Sequence, residues 1–191
     1  MNSKKSIIFI KKKQMGKYSE ELCRSMKYLG EQSDTIFIGQ AVQYSGTAMT
    51  TTLIDVPKEK LLEMPVNEDM QMGITTGLSF HGYVPVSIYP RWNFLILAAN
   101  QIVNHLDKIT TMSSYVPKVI IRTAIGSQRP LHPQFQHISD FTDAFKLMCK
   151  NIDLIRLDEP EQIFDSYKLA YERTDRKSTI IVEWGDYYNE K

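Results

Sequence analysis

The sequence predicts a single α/β domain whose doubly wound, mostly parallel sheet is covered by helices on both faces. Short apolar runs of strand length alternate along the chain with segments of helical periodicity. Two runs, Val119-Ile120-Ile121 and Thr179-Ile180-Ile181-Val182, do not alternate with polar residues, as expected of strands covered on both sides. No internal repeat, low-complexity stretch or Gly/Ser-rich linker interrupts the 191 residues, a length suited to one core.

The elements follow in order. Leu22, Met26 and Leu29 recur at helical spacing between Tyr18 and about Ser33, and the run Asp34 to Ile38, closed by Gly39, reads as a buried strand. Further strands are expected at Glu63 to Val66, Tyr83 to Tyr89, Lys118 to Ala124, Asp153 to Leu157 and Ser178 to Trp184. Helices are expected at Glu68 to Phe80, Asn93 to about Ile109, Asp140 to Lys150 and Pro160 to Glu172. The last opens on a proline, whose missing N–H costs nothing in a first turn. Residues 1–17 read as a basic, solvated arm and 18–191 as the domain. The apolar run Ile7 to Ile10 inside that arm is too short for a signal or a membrane span, so a cytoplasmic protein without membrane contact is expected.

Composition narrows the function classes. Apolar residues make up 42% and charged residues 24%, and 23 Lys plus Arg against 22 Asp plus Glu leave a net charge of +1, which points to no polyanionic partner. No aromatic platform accompanies the basic arm, so nucleic-acid binding is not expected. Cys23 and Cys149 match no zinc or redox spacing and read as reduced, buried thiols.

In open parallel sheets, ligands bind beyond the carboxyl ends of the strands. The candidate junctions are Gly39 to Gly46, Pro65 to Glu68, Tyr89 to Phe94, and Gly126 to His137. The last is long and carries Gln128, Arg129, His132 and His137, an unusual polar load for a connector. No GxGxxG, P-loop, GxSxG or CxxC pattern is present, which leaves dinucleotide, nucleoside-triphosphate and hydrolase readings without support. On the helix after Glu68, Gly73 and Gly77 lie one turn apart, a spacing that lets another backbone approach closely.

The ordered set Pro65-Val66-Asn67-Glu68, Gly73, Gly77, Gly82-Tyr83-Val84-Pro85-Val86, Trp92-Asn93-Phe94 and Gln101-Ile102-Val103-Asn104 resembles the pyrimidine-binding domain of pyruvate dehydrogenase beta subunits. That domain is shared with branched-chain 2-oxo-acid dehydrogenase beta subunits and transketolases. The resemblance runs without a gap from about Gln40 to Tyr115. It continues more loosely through Val119 to Arg122, Leu131-His132-Pro133-Gln134 and the closing strand at Glu183.

The resemblance implies thiamine diphosphate as cofactor, with contacts from Val66, Glu68, Asn93 and Phe94. The glutamate at the position of Glu68 shares a proton with the aminopyrimidine nitrogen and so promotes the imino tautomer that generates the ylide. Phe94 matches an aromatic residue packed on the pyrimidine face, and His132 a histidine near the substrate end of the thiazolium. Glu68 and His132 are thus the catalytic candidates. Each has a plainer reading: Glu68 as an acidic first-turn residue favoured by the helix dipole, Phe94 as core, and His132 as a solvated loop histidine.

Two departures from the family pattern matter. Gly39-Gln40-Ala41-Val42 stands where beta subunits read Gly-Glu-Asp-Val, so an acidic role there is lost. The sequence also ends at Lys191, where those relatives continue into a further domain, which implies a different assembly. Family members hold the diphosphate and Mg²⁺ through a Gly-Asp-Gly sequence followed by Asn. Here Gly185-Asp186 is followed by Tyr187, so no metal ligand is expected from this chain. The cofactor's charged end and Mg²⁺ are then expected on a separate alpha-type subunit, in a heterotetramer that also self-associates through the pyrimidine-binding domains. The substrate class implied is a 2-oxo acid or ketose. The alternatives are a transketolase-like carboligase subunit, a non-catalytic assembly or regulatory domain, and an unrelated flavodoxin-type binding protein.

Overall fold

The computed structural model describes residues 16–129 and 132–189. The basic arm lies outside the described residues except for Gly16 and Lys17, and Lys17 already opens a helix. Six strands form one sheet: β1 (Thr35–Gly39), β2 (Leu61–Glu63), β3 (Val84–Ile88), β4 (Ile120–Ile125), β5 (Ile152–Arg156) and β6 (Ser178–Trp184). Their order is β2-β1-β3-β4-β6-β5, and every pairing is parallel. The strands β3 and β4 are buried along their whole length and β6 along all but its last residue, whereas the edge strands β2 and β5 are partly exposed.

Alternation along the central strands divides the core into two layers. On one face, Phe37, Val86, Ile120 and Ile181 pack with Leu22, Met26 and Leu29 of α1 (Lys17–Gly30). A short helix, α2 (Ala48–Thr51), follows β1, and Met49 joins this layer. On the other face, Ile121, Ile180 and Val182 meet Met72 of α3 (Glu68–Phe80) and Trp92 and Leu95 of α4 (Trp92–Leu95). The short helix α5 (Ile109–Met112) leads back toward β4, and Phe145 of α6 (Thr142–Met148) joins the second layer. A tight turn at Pro160–Gln162 leads into α7 (Ile163–Glu172), which packs on α1 through edge contacts of Tyr28 with Phe164 and Tyr171.

Two expected elements differ from what is found. The strand expected at Glu63 to Val66 ends at Glu63. Pro65 has no N–H to offer a ladder, and the Glu63 carboxylate accepts the backbone N–H groups of Ala41, Val42 and Gln43 at 2.6, 2.8 and 2.8 Å. The helix expected from Asn93 to about Ile109 is a chain of shorter segments, with a widened turn at Gln101–Leu106. That widening accompanies Asp107, fully buried, whose Oδ1 accepts the amides of Lys150 and Asn151, both at 2.7 Å. Burial alone would raise the Asp107 carboxyl, but these amides and Lys108 together hold it below the usual carboxylate range.

Under the carboxyl end of the sheet lies a buried charge network. Arg122 of β4 and Glu183 of β6 are both fully buried, and Arg122 Nε and Nη2 donate to the two Glu183 oxygens at 2.5 and 3.0 Å. The hydroxyls of Tyr167 and Tyr188 donate to the same carboxylate. Burial alone would lower the Arg122 guanidinium, but the Glu183 charge holds it well above its ordinary value. Burial and the same carboxylate push both tyrosines well up. The network fixes Tyr188 where that ring borders the carboxyl-end cleft.

Candidate functional site

The sheet order reverses at β1, with β2 on one side and β3 on the other. That is the switch point at which an open parallel sheet leaves a crevice. A cleft of about 590 Å³ opens there, bordered by Gln40 and Thr47 after β1, Arg91 and Phe94 after β3, and Ser127 after β4. His137 and Tyr188 complete its walls.

Local sequence sets this geometry. Ala41 is left-handed at φ 54°, so successive amides of the β1 loop turn inward and bind Glu63. After β4, Gly126 at φ 70° and Ser127 at φ 62° turn the chain so that the amides of Gln128 and Arg129 reach Asp186 Oδ1 at 2.7 and 2.9 Å. Gly185 is required at this crossing, because a Cβ there would stand 1.8 Å from Ser127 Oγ. Carboxylates thus clamp two of the loops that border the cleft.

Glu68 is the first residue of α3 and is only 6% exposed. Its helix start is fixed by Asn67, whose side chain accepts the Met70 amide at 2.9 Å. Deeper in the same helix, buried Gln71 donates to the Ile88 carbonyl at 3.0 Å and ties α3 to the end of β3. Gln40 reaches from the cleft wall and donates to Glu68 Oε1 at 3.2 Å, so one carboxylate oxygen is held and the other carries no bond to any described residue.

The other sequence-derived residues fall in different places. Phe94 is half-buried in the cleft, its ring 5.8 Å from that of His137. Asn93 is half-buried on the same short helix, and among the described residues neither its Oδ1 nor Trp92 Nε1 has a hydrogen-bond partner. Val66 is 81% exposed, which leaves it free to meet another molecule. His132 is exposed and outside the cleft lining; its Nδ1 accepts the Gln134 amide at 3.1 Å. The histidine that does line the cleft is His137, whose Nδ1 is buried without a partner.

Sequence reasoning singled out neither Glu63 nor Arg91, and met Asp186 only as the acid of Gly185-Asp186. Glu63 and Asp186 act on amides distant in the chain, and no local pattern marks such pairs. Arg91 was open to notice, as a cation beside Trp92-Asn93-Phe94 in a strand-to-helix junction. Among the described residues no group of three or more His, Cys, Asp or Glu could hold a metal, and no helix is long and apolar enough to cross a membrane.

This six-stranded, all-parallel sheet with flanking helices is a transketolase-like α/β domain. It is similar to a split-gene transketolase solved as an inactive beta4 tetramer, with a TM-score of 0.68 and 17% identity over 88% of this chain and 51% of that one. It is also similar to transketolase from Campylobacter jejuni subsp. jejuni NCTC 11168, with a TM-score of 0.67 and 13% identity over 89% of this chain. The chain spans about half the length of the first structure and 26% of the second. No protein-family model matches the sequence, and no curated protein is similar to it.

Proposed function

We propose that this chain is the pyrimidine-binding, beta-type subunit of a split thiamine-diphosphate enzyme acting on a 2-oxo acid or a ketose, its site completed by a diphosphate-binding alpha-type subunit. The observation that carries this reading is Glu68: a nearly buried carboxyl at a helix start, outside the cleft lining but held by Gln40, which lines a switch-point cleft that contains Phe94.

The residues fit the aminopyrimidine end of the cofactor. Glu68 offers a carboxyl oxygen free of protein bonds, Phe94 an aromatic face, Asn93 an unsatisfied amide oxygen, and Val66 an exposed aliphatic surface. When bound, thiamine diphosphate supplies a thiazolium carbon that adds to a carbonyl, a chemistry common to 2-oxo-acid decarboxylation and ketol transfer. Glu68 holds and returns a proton at the pyrimidine nitrogen, while Gln40 keeps the carboxyl from turning away. Asp186, the acid of the Gly185-Asp186 pair, is already engaged by two backbone amides. The diphosphate and Mg²⁺ are therefore assigned to the partner. His132 retains a proposed role at the substrate end, reached from its exposed loop once the partner closes over it.

Self-association is assigned to the outer face of α3. There Met70 and Ile74 are exposed, Cβ atoms built at Gly73 and Gly77 meet almost nothing, and Leu97 on the adjoining turn is 60% exposed. Transketolase-like carboligation is the second reading, favoured by the likeness to a split-gene transketolase. Co-purification of a lipoyl acyltransferase with the native complex would select the dehydrogenase reading instead.

Calorimetric titration tests the split site. The isolated chain is expected to bind thiamine diphosphate with Mg²⁺ weakly or not at all, and the complex with its partner to bind it tightly. A micromolar dissociation constant for the isolated chain contradicts the reading. Phe94→Ala is expected to weaken cofactor retention in the complex several-fold or more, because an aromatic stacking contact contributes on the order of 1 kcal/mol beyond area burial. Phe94 is only half-buried, so thermal unfolding of the variant should stay close to that of the parent chain. Unchanged retention, or gross unfolding, would make Phe94 a core residue.

A further inference from the structure

Two polar groups on the cleft wall are left over once the cofactor contacts are assigned. Arg91 is half-buried and borders the cleft, and its side chain makes no hydrogen bond or close ion pair with any described residue. His137, from the long loop after β4, lines the same space and packs against the Phe94 ring, and its buried Nδ1 has no partner among the described residues. The Arg91 guanidinium faces an open cleft with no protein acceptor among the described residues, so a bound anion can provide one. Burial lowers the Arg91 guanidinium from its ordinary value, with the Asp186 charge opposing. That carboxylate does not satisfy Arg91: its Oδ1 accepts the Gln128 and Arg129 amides and lies 4.0 Å from Arg129 Nε.

We propose that Arg91 and His137 form an oxyanion-recognition pair that binds the anionic group of the substrate, a carboxylate or a phosphate. The planar guanidinium fork presents parallel donors that either group can accept in bidentate fashion. His137 adds a donor, and Phe94 closes the apolar side between the anion and the pyrimidine position. This inference rests on reading the cleft as half of a 2-oxo-acid or ketose site. Both residues belong to this chain, so anion recognition does not wait on the partner.

The test is a ¹⁵N NMR titration of the full chain with pyruvate, with inorganic phosphate, and with acetone as the uncharged counterpart of pyruvate. Saturable shifts centred on Arg91, Phe94, Ser127 and His137 are expected with at least one anion and not with acetone; the more tightly bound anion identifies the substrate's charged group. Arg91→Met is expected to weaken that binding about tenfold or more, the usual loss for a charge-assisted hydrogen bond. Arg91→Lys, which keeps the charge and guards against a folding artefact in the methionine variant, is expected to retain part of it. Binding unaltered in both variants, shifts scattered over surface cations, or no saturable shift with either anion overturns the proposal. Cofactor binding is read separately on the assembled complex, so failure here leaves the thiamine-diphosphate reading standing, and the reverse also holds.

Discussion

Arg122→Met is expected to lower the unfolding free energy by about 3–5 kcal/mol, the usual cost of removing one partner of a buried ion pair. Methionine keeps much of the apolar volume but leaves the buried Glu183 carboxyl without its guanidinium partner, with only the Tyr167 and Tyr188 hydroxyls as donors. Removing both charges, as Arg122→Met with Glu183→Met, should restore much of the loss, because the cost lies in the stranded carboxylate more than in the absent bond. Urea unfolding of the two single variants and the double variant gives the coupling directly. A loss below about 1 kcal/mol for Arg122→Met would mean that the carboxylate finds water or a proton at little cost. The effect should reach the cleft, since Tyr188 both donates to Glu183 and borders it.

Much of the fold is legible in the sequence, because the determinants are local. Asn67 caps a helix whose first and last residues, Glu68 and Phe80, coincide with the periodic segment. The run Ser178 to Trp184 is the strand β6 with the same bounds, and its unbroken apolar pattern reflects helices on both sides. The edge strand β2 is less legible: three residues carry little pattern, and Glu63 at its end serves the loop after β1 instead of continuing the ladder. The break in the helix after Asn93 accompanies Asp107 meeting the amides of Lys150 and Asn151, more than forty residues away, contacts that no window of local sequence contains.

The site divides in the same way. Glu68 and Phe94 stand at a helix start and a strand-to-helix junction, positions that the sequence pattern places correctly. The long loop after β4 is recognisable as polar, yet which of its histidines enters the cleft is settled by packing. His137 rests against Phe94, while His132 is exposed and accepts the Gln134 amide two residues on. The replacement of an acidic residue by Gln40 reads in sequence as a lost function. In the structure Gln40 donates a hydrogen bond to Glu68.

Glu68→Gln puts the proposed role of that carboxyl to the most direct test. Glutamine keeps the length of the side chain and an oxygen able to accept the Gln40 bond, so assembly and cofactor binding should survive. It removes the acid that shares a proton with the pyrimidine nitrogen. Groups acting in this way typically contribute ~100-fold to ~10,000-fold. Quenched NMR of thiazolium proton exchange into deuterated solvent, on the assembled complex with bound thiamine diphosphate, reads that contribution without knowledge of the substrate. The expected result is slowing of that size at unchanged cofactor occupancy; exchange at the wild-type rate in a fully loaded Glu68→Gln complex would reduce Glu68 to a helix-start residue and contradict the proposed function.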